Sequence, residues 1–294
     1  MRNIVEAREL YTLFEEKFQV GDEPKVLYHY TNIYGLEGIL KNNEFWVSNA
    51  SFLNDKTEIK YTLDLSRQYL SELCEEKQID KRKALSFFDL FVKERLEEVS
   101  LDYYLLSFCT NEDSNLLWSN YSNNDGYNIA FKYPDINNDY YKETDEYPLS
   151  AYVIYDEVEQ RKILKDYIEK IIEIVEYISV LKVEEIQDEI YRRLGLVVGA
   201  LKLSSLFFKD KCFSQEEEFR IAIKRKDYSC RISNGTFIPY IKARFEKESV
   251  KGITIGPKNN MDITMEGLIQ FLKLHDYSHI TKEKIEKSCI PYRY

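Results

Sequence analysis

Three short stretches hold the side chains best suited to chemistry. Val26-Leu27-Tyr28-His29-Tyr30-Thr31 reads as a strand, and it carries one of only three histidines, the others being His275 and His279. Leu116-Leu117-Trp118-Ser119-Asn120-Tyr121 sets two large aromatics about one helical turn apart, which puts them on the same side of a helix. Gly126 and the strand-like Tyr127-Asn128-Ile129-Ala130-Phe131 follow. In Glu216-Glu217-Glu218-Phe219-Arg220-Ile221-Ala222-Ile223, strand alternation places Glu216, Glu218 and Arg220 on one face and Glu217, Phe219, Ile221 and Ile223 on the other. The second set suits a core, and the first offers two carboxylates and a guanidinium.

Each stretch has a structural reading beside the chemical one. His29 is either a satisfied core histidine or a hydrogen-bonding partner for a ribose or phosphate, a task imidazole performs without charge. Trp118 and Tyr121 either pack in a core or form a flat wall on which a nicotinamide or a base stacks. The Glu–Arg strand is either a solvated edge with an ion pair or one wall of a cleft. Asn54-Asp55-x-x-Glu58 reads as a helix cap, with a place at the cleft rim as the alternative. The chemical readings require the three stretches to meet in one cleft.

The elements that would position them are legible in outline. Apolar spacing predicts helices over residues 4–18, 33–40, 56–97 (in two pieces divided near Ile79-Asp80), 156–206 and 263–274, with a short helix or turn over 116–121. Strands are expected at 26–31, 45–48, 103–109, 127–133, 150–155, 218–224, 236–242, 250–255 and 284–291, with a polar loop over 137–146. The irregular alternation gives an α+β fold, one domain over 1–294 with helical insertions near 56–97 and 156–206. Neither a GxGxxG turn nor a GxxxxGK[ST] loop occurs.

Composition narrows the function classes. A net charge of -10 argues against a surface tuned as a whole to nucleic acid. A local basic rim stays possible, because Lys202, Lys209, Lys211, Lys224, Arg225 and Lys226 flank the Glu–Arg strand. The five cysteines are scattered, with no CxxC pair and no clustered metal ligands, which points to free thiols in a reducing cytoplasm and to no metal. The first residues lack the apolar core of a signal peptide, and no apolar run is long enough for a membrane span.

Taken in order, Tyr28-His29-Tyr30-Thr31, Asn54-Asp55-x-x-Glu58, Trp118-Ser119-x-Tyr121 with Gly126 and Phe131, and Glu216-x-Glu218-Phe219-Arg220 resemble four marks of a bacterial domain-of-unknown-function family. That family looks like a branch of the ADP-ribosyltransferase superfamily of His-Tyr-Glu type. The resemblance implies a split β-sheet core and NAD as the ADP-ribose donor. It makes His29, Tyr121 and Glu218 the catalytic triad, with Glu216 as the other candidate carboxylate. The NAD-binding set would be His29, Tyr30, Thr31, Trp118, Ser119, Tyr121, Glu216 and Arg220, with Thr31, Ser119 and Arg220 at the pyrophosphate. It further implies a toxin or antiviral-defence enzyme that modifies a macromolecule, with RNA or DNA slightly favoured over protein as the acceptor, and a possible antitoxin partner. The alternatives are an NAD glycohydrolase and a non-enzymatic domain that binds a nucleotide or a partner.

Overall fold

In the computed structural model the described residues are 11–12, 14–18, 23–52, 57–93, 96, 102–122, 126–133, 135–136, 148–178, 187–233, 235–259 and 261–291. Their structure is mixed α+β. The front of the chain supplies β1 (Val26–Thr31), α1 (Ile33–Asn42), β2 (Glu44–Asn49), α2 (Thr57–Glu76) and α3 (Lys81–Phe87), with a π-helical turn over Phe88–Lys93. The middle supplies β3 (Tyr103–Cys109), α4 (Asn115–Ser122), β4 (Tyr127–Lys132), β5 (Leu149–Tyr152), α5 (Glu157–Ile178) and α6 (Gln187–Phe207). The rest is β6 (Glu218–Lys224), β7 (Ser229–Ser233), β8 (Thr236–Arg244), β9 (Val250–Ile255), α7 (Met261–Leu274) and β10 (Ile285–Lys287). The expected caps Asn54 and Asp55, the loop at 137–146 and most of the first helix lie outside the described residues. No helix among the described residues is long and apolar enough to cross a membrane.

The chain divides into two compact units. The first comprises residues 1–20, 49–103 and 151–214, and the second residues 21–48, 104–150 and 215–294. The helical blocks expected near 56–97 and 156–206 make up the body of the first unit. In α5 the buried Leu164, Ile168, Ile171 and Val175 recur at the helical period, giving one apolar stripe. Phe14, Phe18 and Phe207 pack ring against ring, with centroids 5.2–5.7 Å apart. The buried Gln160 ties three segments together: its Nε2 donates to the Ile154 and Lys209 carbonyls (2.6 and 3.0 Å), and its Oε1 accepts from the Tyr61 hydroxyl (2.7 Å). Burying an amide is tolerable because each of these groups is matched.

The second unit is built on a mixed ten-stranded sheet with the path β10-β9-β4-β1-β3-β2-β8-β7, in which β6 joins β3 and β5 off the path. β10 runs parallel to β9, and β1–β4, β2–β8, β4–β9 and β7–β8 are antiparallel. β3 has three strand neighbours, β1, β2 and β6. A strand has two edges, so two of the three share one of them and the sheet forks at β3. Alternation explains the core: Leu27, Phe45, Val47, Leu106, Phe108, Phe131, Phe219 and Ile221 turn to one side and join one buried cluster. Leu36, Ile39 and Leu40 of α1 and Met265, Leu268 and Leu272 of α7 belong to that cluster. Asn32 starts α1 by accepting a hydrogen bond from Gly35 N (2.9 Å), and Asn43 ends it in a left-handed conformation (φ 52°).

Candidate functional site

The two faces of β1 have different surroundings. His29 sits on the Leu27 side, with its ring edge-on to Phe45 (5.1 Å) and Phe108 (5.8 Å). Its Nδ1 lies 3.2 Å from the Ser107 carbonyl oxygen. A carbonyl only accepts, so Nδ1 carries the hydrogen. Burial pushes the imidazole down to about 4, and it is neutral near pH 7.

Tyr28 and Tyr30 point to the other face. The Tyr30 hydroxyl donates to the Asn111 carbonyl (3.0 Å) and accepts from Ser114 N (2.9 Å), and its ring meets Trp118 edge-on at 4.7 Å. The Tyr28 hydroxyl donates to Glu112 (3.1 Å), and burial together with that carboxylate raises it to about 12. Trp118 is fully buried, and its indole N–H donates to Asp113 (2.7 Å). Asp113 also accepts from the Ser288 hydroxyl (2.6 Å) and the Cys289 amide (2.7 Å). Asn128 Nδ2 holds the Glu112 carbonyl at 2.7 Å. Residues 111–114 are therefore pinned at the entrance to α4. Sequence reading missed them; the Asn-Glu-Asp-Ser run directly before an aromatic helix was the available signal.

Trp118 and Tyr121 do not share a wall. Three residues fall about 60° short of a turn, and while Trp118 is enclosed, Tyr121 is 45% exposed. Its hydroxyl donates to Glu216 Oε1 (3.4 Å). Glu216 closes a 3-10 turn over Lys211–Glu216, and β6 begins only at Glu218. Between them Glu217 takes a left-handed backbone (φ 46°), a conformation non-glycine residues seldom adopt. This breaks the alternation expected for 216–223. Glu217 is exposed rather than in the core, and its carbonyl accepts from Thr110 N (3.1 Å) while its carboxylate accepts from Asn111 Nδ2 (3.2 Å). Glu216 and Glu218 are both buried. Phe219, Ile221 and Ile223 do enter the core.

Glu218 accepts from Arg220 Nη2 at 2.9 Å, with the two residues 8% and 2% exposed. The solvated-edge alternative for this strand is thereby overturned. Burial pushes the nearby Cys109 thiol up to about 12, with Glu217 and Glu218 adding to the rise.

The remaining expected residues are dispersed. Thr31, at the end of β1, is closely approached by two glycines. A β-carbon on Gly35 would lie 1.9 Å from its Oγ1, and one on Gly126 would lie 2.2 Å from its carbonyl oxygen. Ser119 is exposed on α4. Glu58 stands in the first turn of α2, in the first unit, with Lys209 Nζ at 3.6 Å. The expected basic rim needs correction. Lys202 and Lys209 are buried in the first unit, their ammonium groups over the rings of Tyr103 (5.3 Å) and Phe213 (5.0 Å). Lys224 and Lys226 of the second unit are exposed.

The structure thus brings Tyr121 to Glu216, Glu218 to Arg220 and Tyr30 to Trp118, all within the second unit, and turns His29 to the opposite face of β1. A half-exposed phenol ring beside buried carboxylates can stack a flat ring and stabilise positive charge on a neighbouring atom. Among the described residues no group of three or more His, Cys, Asp or Glu is placed to hold a metal.

Residues 117–221, about a third of the chain, match the family described as protein of unknown function (DUF2971). The matched stretch contains Trp118, Ser119, Tyr121, Glu216, Glu218 and Arg220, and not His29 or Glu58. Neither a curated protein nor a solved structure matches the chain.

Proposed function

We propose that the chain is an NAD-dependent mono-ADP-ribosyltransferase whose site is formed by Tyr121, Glu216, Glu218 and Arg220. The observation that carries this reading is the meeting of Tyr121 with Glu216 (3.4 Å) next to the start of β6, where Glu218 is held by Arg220. The resemblance named Tyr121 on α4 and Glu218 on β6, remote in sequence; Tyr121 meets Glu216, two residues before Glu218. The fork of the sheet at β3 is in keeping with the split sheet the same resemblance implies.

NAD enters as substrate, the donor of ADP-ribose. The open face of Tyr121 stacks on its nicotinamide ring. Glu218, oriented by Arg220, faces the ribose, where its charge stabilises the positive character that grows as the carbon–nitrogen bond breaks. An acceptor nucleophile then bonds to the anomeric carbon, nicotinamide leaves with the electron pair of the broken bond, and Glu216 takes the acceptor's proton. The carboxylate pair needs no covalent enzyme intermediate. In this reading His29 positions β1 through its packing and its Ser107 bond and leaves the nucleotide to residues of the other face. A cytoplasmic toxin or defence role, with an antitoxin partner, goes with the same resemblance.

A second reading, a domain that binds a nucleotide or a partner without catalysis, is favoured by the opposite orientation of His29 and by the burial of the Glu218–Arg220 pair, which a fold also uses for structure.

Chromatographic measurement of nicotinamide released from NAD separates the two. We expect release by the wild type, a fall of about a hundredfold or more for Glu218→Gln, and a smaller fall for Tyr121→Ala and Glu216→Gln, in variants whose thermal midpoints show them folded. Tyr121 is half exposed, so its variant tests the site with little risk to the fold. Release that is absent in the wild type, or unchanged in all three variants, refutes the enzymatic reading.

A further inference from the structure

Beyond β6 the second unit carries a groove of about 480 Å3 lined in part by Arg225, Tyr228, Tyr240, Lys242 and Arg244. This volume lies within the ~300–1,000 Å3 of ordinary ligand clefts. The cross-strand register sets Trp46 opposite Lys242, Glu44 opposite Arg244 and Ser48 opposite Tyr240, so these side chains share one face of the β2–β8 pair. The Trp46 ring stacks on Tyr240 (4.8 Å, 29°), its indole N–H is tethered to Glu44 (3.0 Å), and the Lys242 ammonium sits over it at 5.9 Å. The indole is therefore held rigidly while 48% of its surface is open, and Tyr228 nearby is 62% exposed.

The cations outnumber the acids. Arg225 faces Asp227, and Glu44 is shared between Lys242, which it faces, and Arg244, which lies opposite it in the register; Arg231 donates to Ser48 (3.0 Å), so four cations stand against these two carboxylates. In a chain of net charge -10 this is a locally positive surface.

We infer that this groove binds single-stranded nucleic acid, its phosphates along Arg225, Lys242 and Arg244 and its bases on Trp46 and Tyr228. Cations beside the half-exposed Trp46 and the exposed Tyr228 match a ligand that carries regularly spaced negative charge and flat rings. An acidic peptide would use the cations and leave both rings idle. A duplex keeps its base faces stacked and out of reach. The inference rests in part on the proposed transferase reading, because it makes the bound strand the ADP-ribose acceptor. β6 opens with Glu218 and ends at Lys224, one residue before Arg225, roughly 20 Å at ~3.3 Å per residue.

The test is fluorescence anisotropy with labelled, mixed-sequence RNA and DNA oligonucleotides of ~20 nucleotides, longer than the ~4–16 that such sites cover. The full chain should bind them with an affinity that falls steeply with salt. Tyr228→Ala and Trp46→Ala should each weaken binding about tenfold, and Lys242→Glu/Arg244→Glu should weaken it further and flatten the salt dependence. Tyr228 is exposed enough for its variant to leave the fold intact.

No binding at low salt overturns the inference, as do variants indistinguishable from the wild type, equal binding of the matching duplex, or equal binding of a poly-glutamate peptide. Nicotinamide release from NAD is measured on the same proteins with and without oligonucleotide. Oligonucleotide binding without release leaves the groove standing and removes the transferase reading. Release without binding does the reverse.

Discussion

Two arginine–carboxylate pairs stand at the two ends of β6, and they behave as different objects. Glu218–Arg220 opens the strand with side chains 10% and 2% exposed; Arg225–Asp227 follows its end with side chains 27% and 74% exposed. In each, partners two residues apart face one another. Only the environment differs. Taking two charges out of water costs several kcal/mol per ion, and the mutual attraction offsets this only while both partners are present. The first pair is thus fixed in one geometry, which is what a site that must hold a carboxylate against a reacting sugar requires. The second is solvated, screened and worth little as a pair, so a phosphate can replace Asp227 on the guanidinium at small cost.

The largest effect that would break this comparison is on stability. Glu218→Ala leaves Arg220 charged and buried with its carboxylate gone, and should lower the free energy of unfolding by about 3–5 kcal/mol in urea titration. Adding Arg220→Met to it should recover much of the loss, since a well-packed apolar replacement removes the stranded charge. If Glu218→Ala alone costs under about 1 kcal/mol, the pair is wet, and the contrast with Arg225–Asp227 disappears.

The amino-acid pattern foretold most elements and misplaced the side chains that decide the site. Phe219, Ile221 and Ile223 entered the core as alternation required, and α4 and β6 lie where aromatic and charge spacing put them. Glu216 and Glu217 did not follow, because one left-handed residue resets the alternation and nothing in a Glu-Glu-Glu run marks which residue will take it. Lys202 and Lys209 looked like a rim because sequence shows charge and not burial; each ammonium lies over an aromatic ring. β7, Ser-Cys-Arg-Ile-Ser, has no apolar period of its own and is a strand because β8 pairs with it. His29 was placed on the right strand, and only the packing around Phe45 and Phe108 reveals which face it takes.

His29 sharpens the comparison by supplying a buried titratable group that faces aromatic rings and a carbonyl. Its imidazole titrates at about 4 when folded against an ordinary value of 6.5. The unfolded chain therefore binds the extra proton first as pH falls. The folded state keeps its full advantage above about 6.5 and loses it progressively down to about 4, at most about 3 kcal/mol for this residue. Unfolding free energies at both ends of that window, for the wild type and His29→Gln, isolate it. The wild type should lose more stability on acidification than the variant by up to that amount. Nicotinamide release at neutral pH should change far less in His29→Gln than in Glu218→Gln, because the imidazole positions β1. Equal losses would move the nucleotide to the other face of the strand and return His29 to the ribose.

The smallest effect belongs to the exposed pair. Asp227→Ala should change stability by roughly 0.2–1 kcal/mol, and less as ionic strength rises from 0.1 to 1 M and the screening length shrinks from ~10 to ~3 Å. Arg225 now holds the Asp227 carboxyl below its ordinary value through a forked contact from Nε and Nη2. Removing that carboxylate removes the forked contact and takes one negative charge from the groove. The same variant should therefore bind the oligonucleotide a few-fold more tightly at low salt while leaving nicotinamide release unchanged. A stability loss comparable to that of Glu218→Ala would make Arg225–Asp227 a structural pair, and weaker oligonucleotide binding would place the phosphates elsewhere. A gain confined to low salt is the signature of a guanidinium that exchanges one carboxylate for a phosphate.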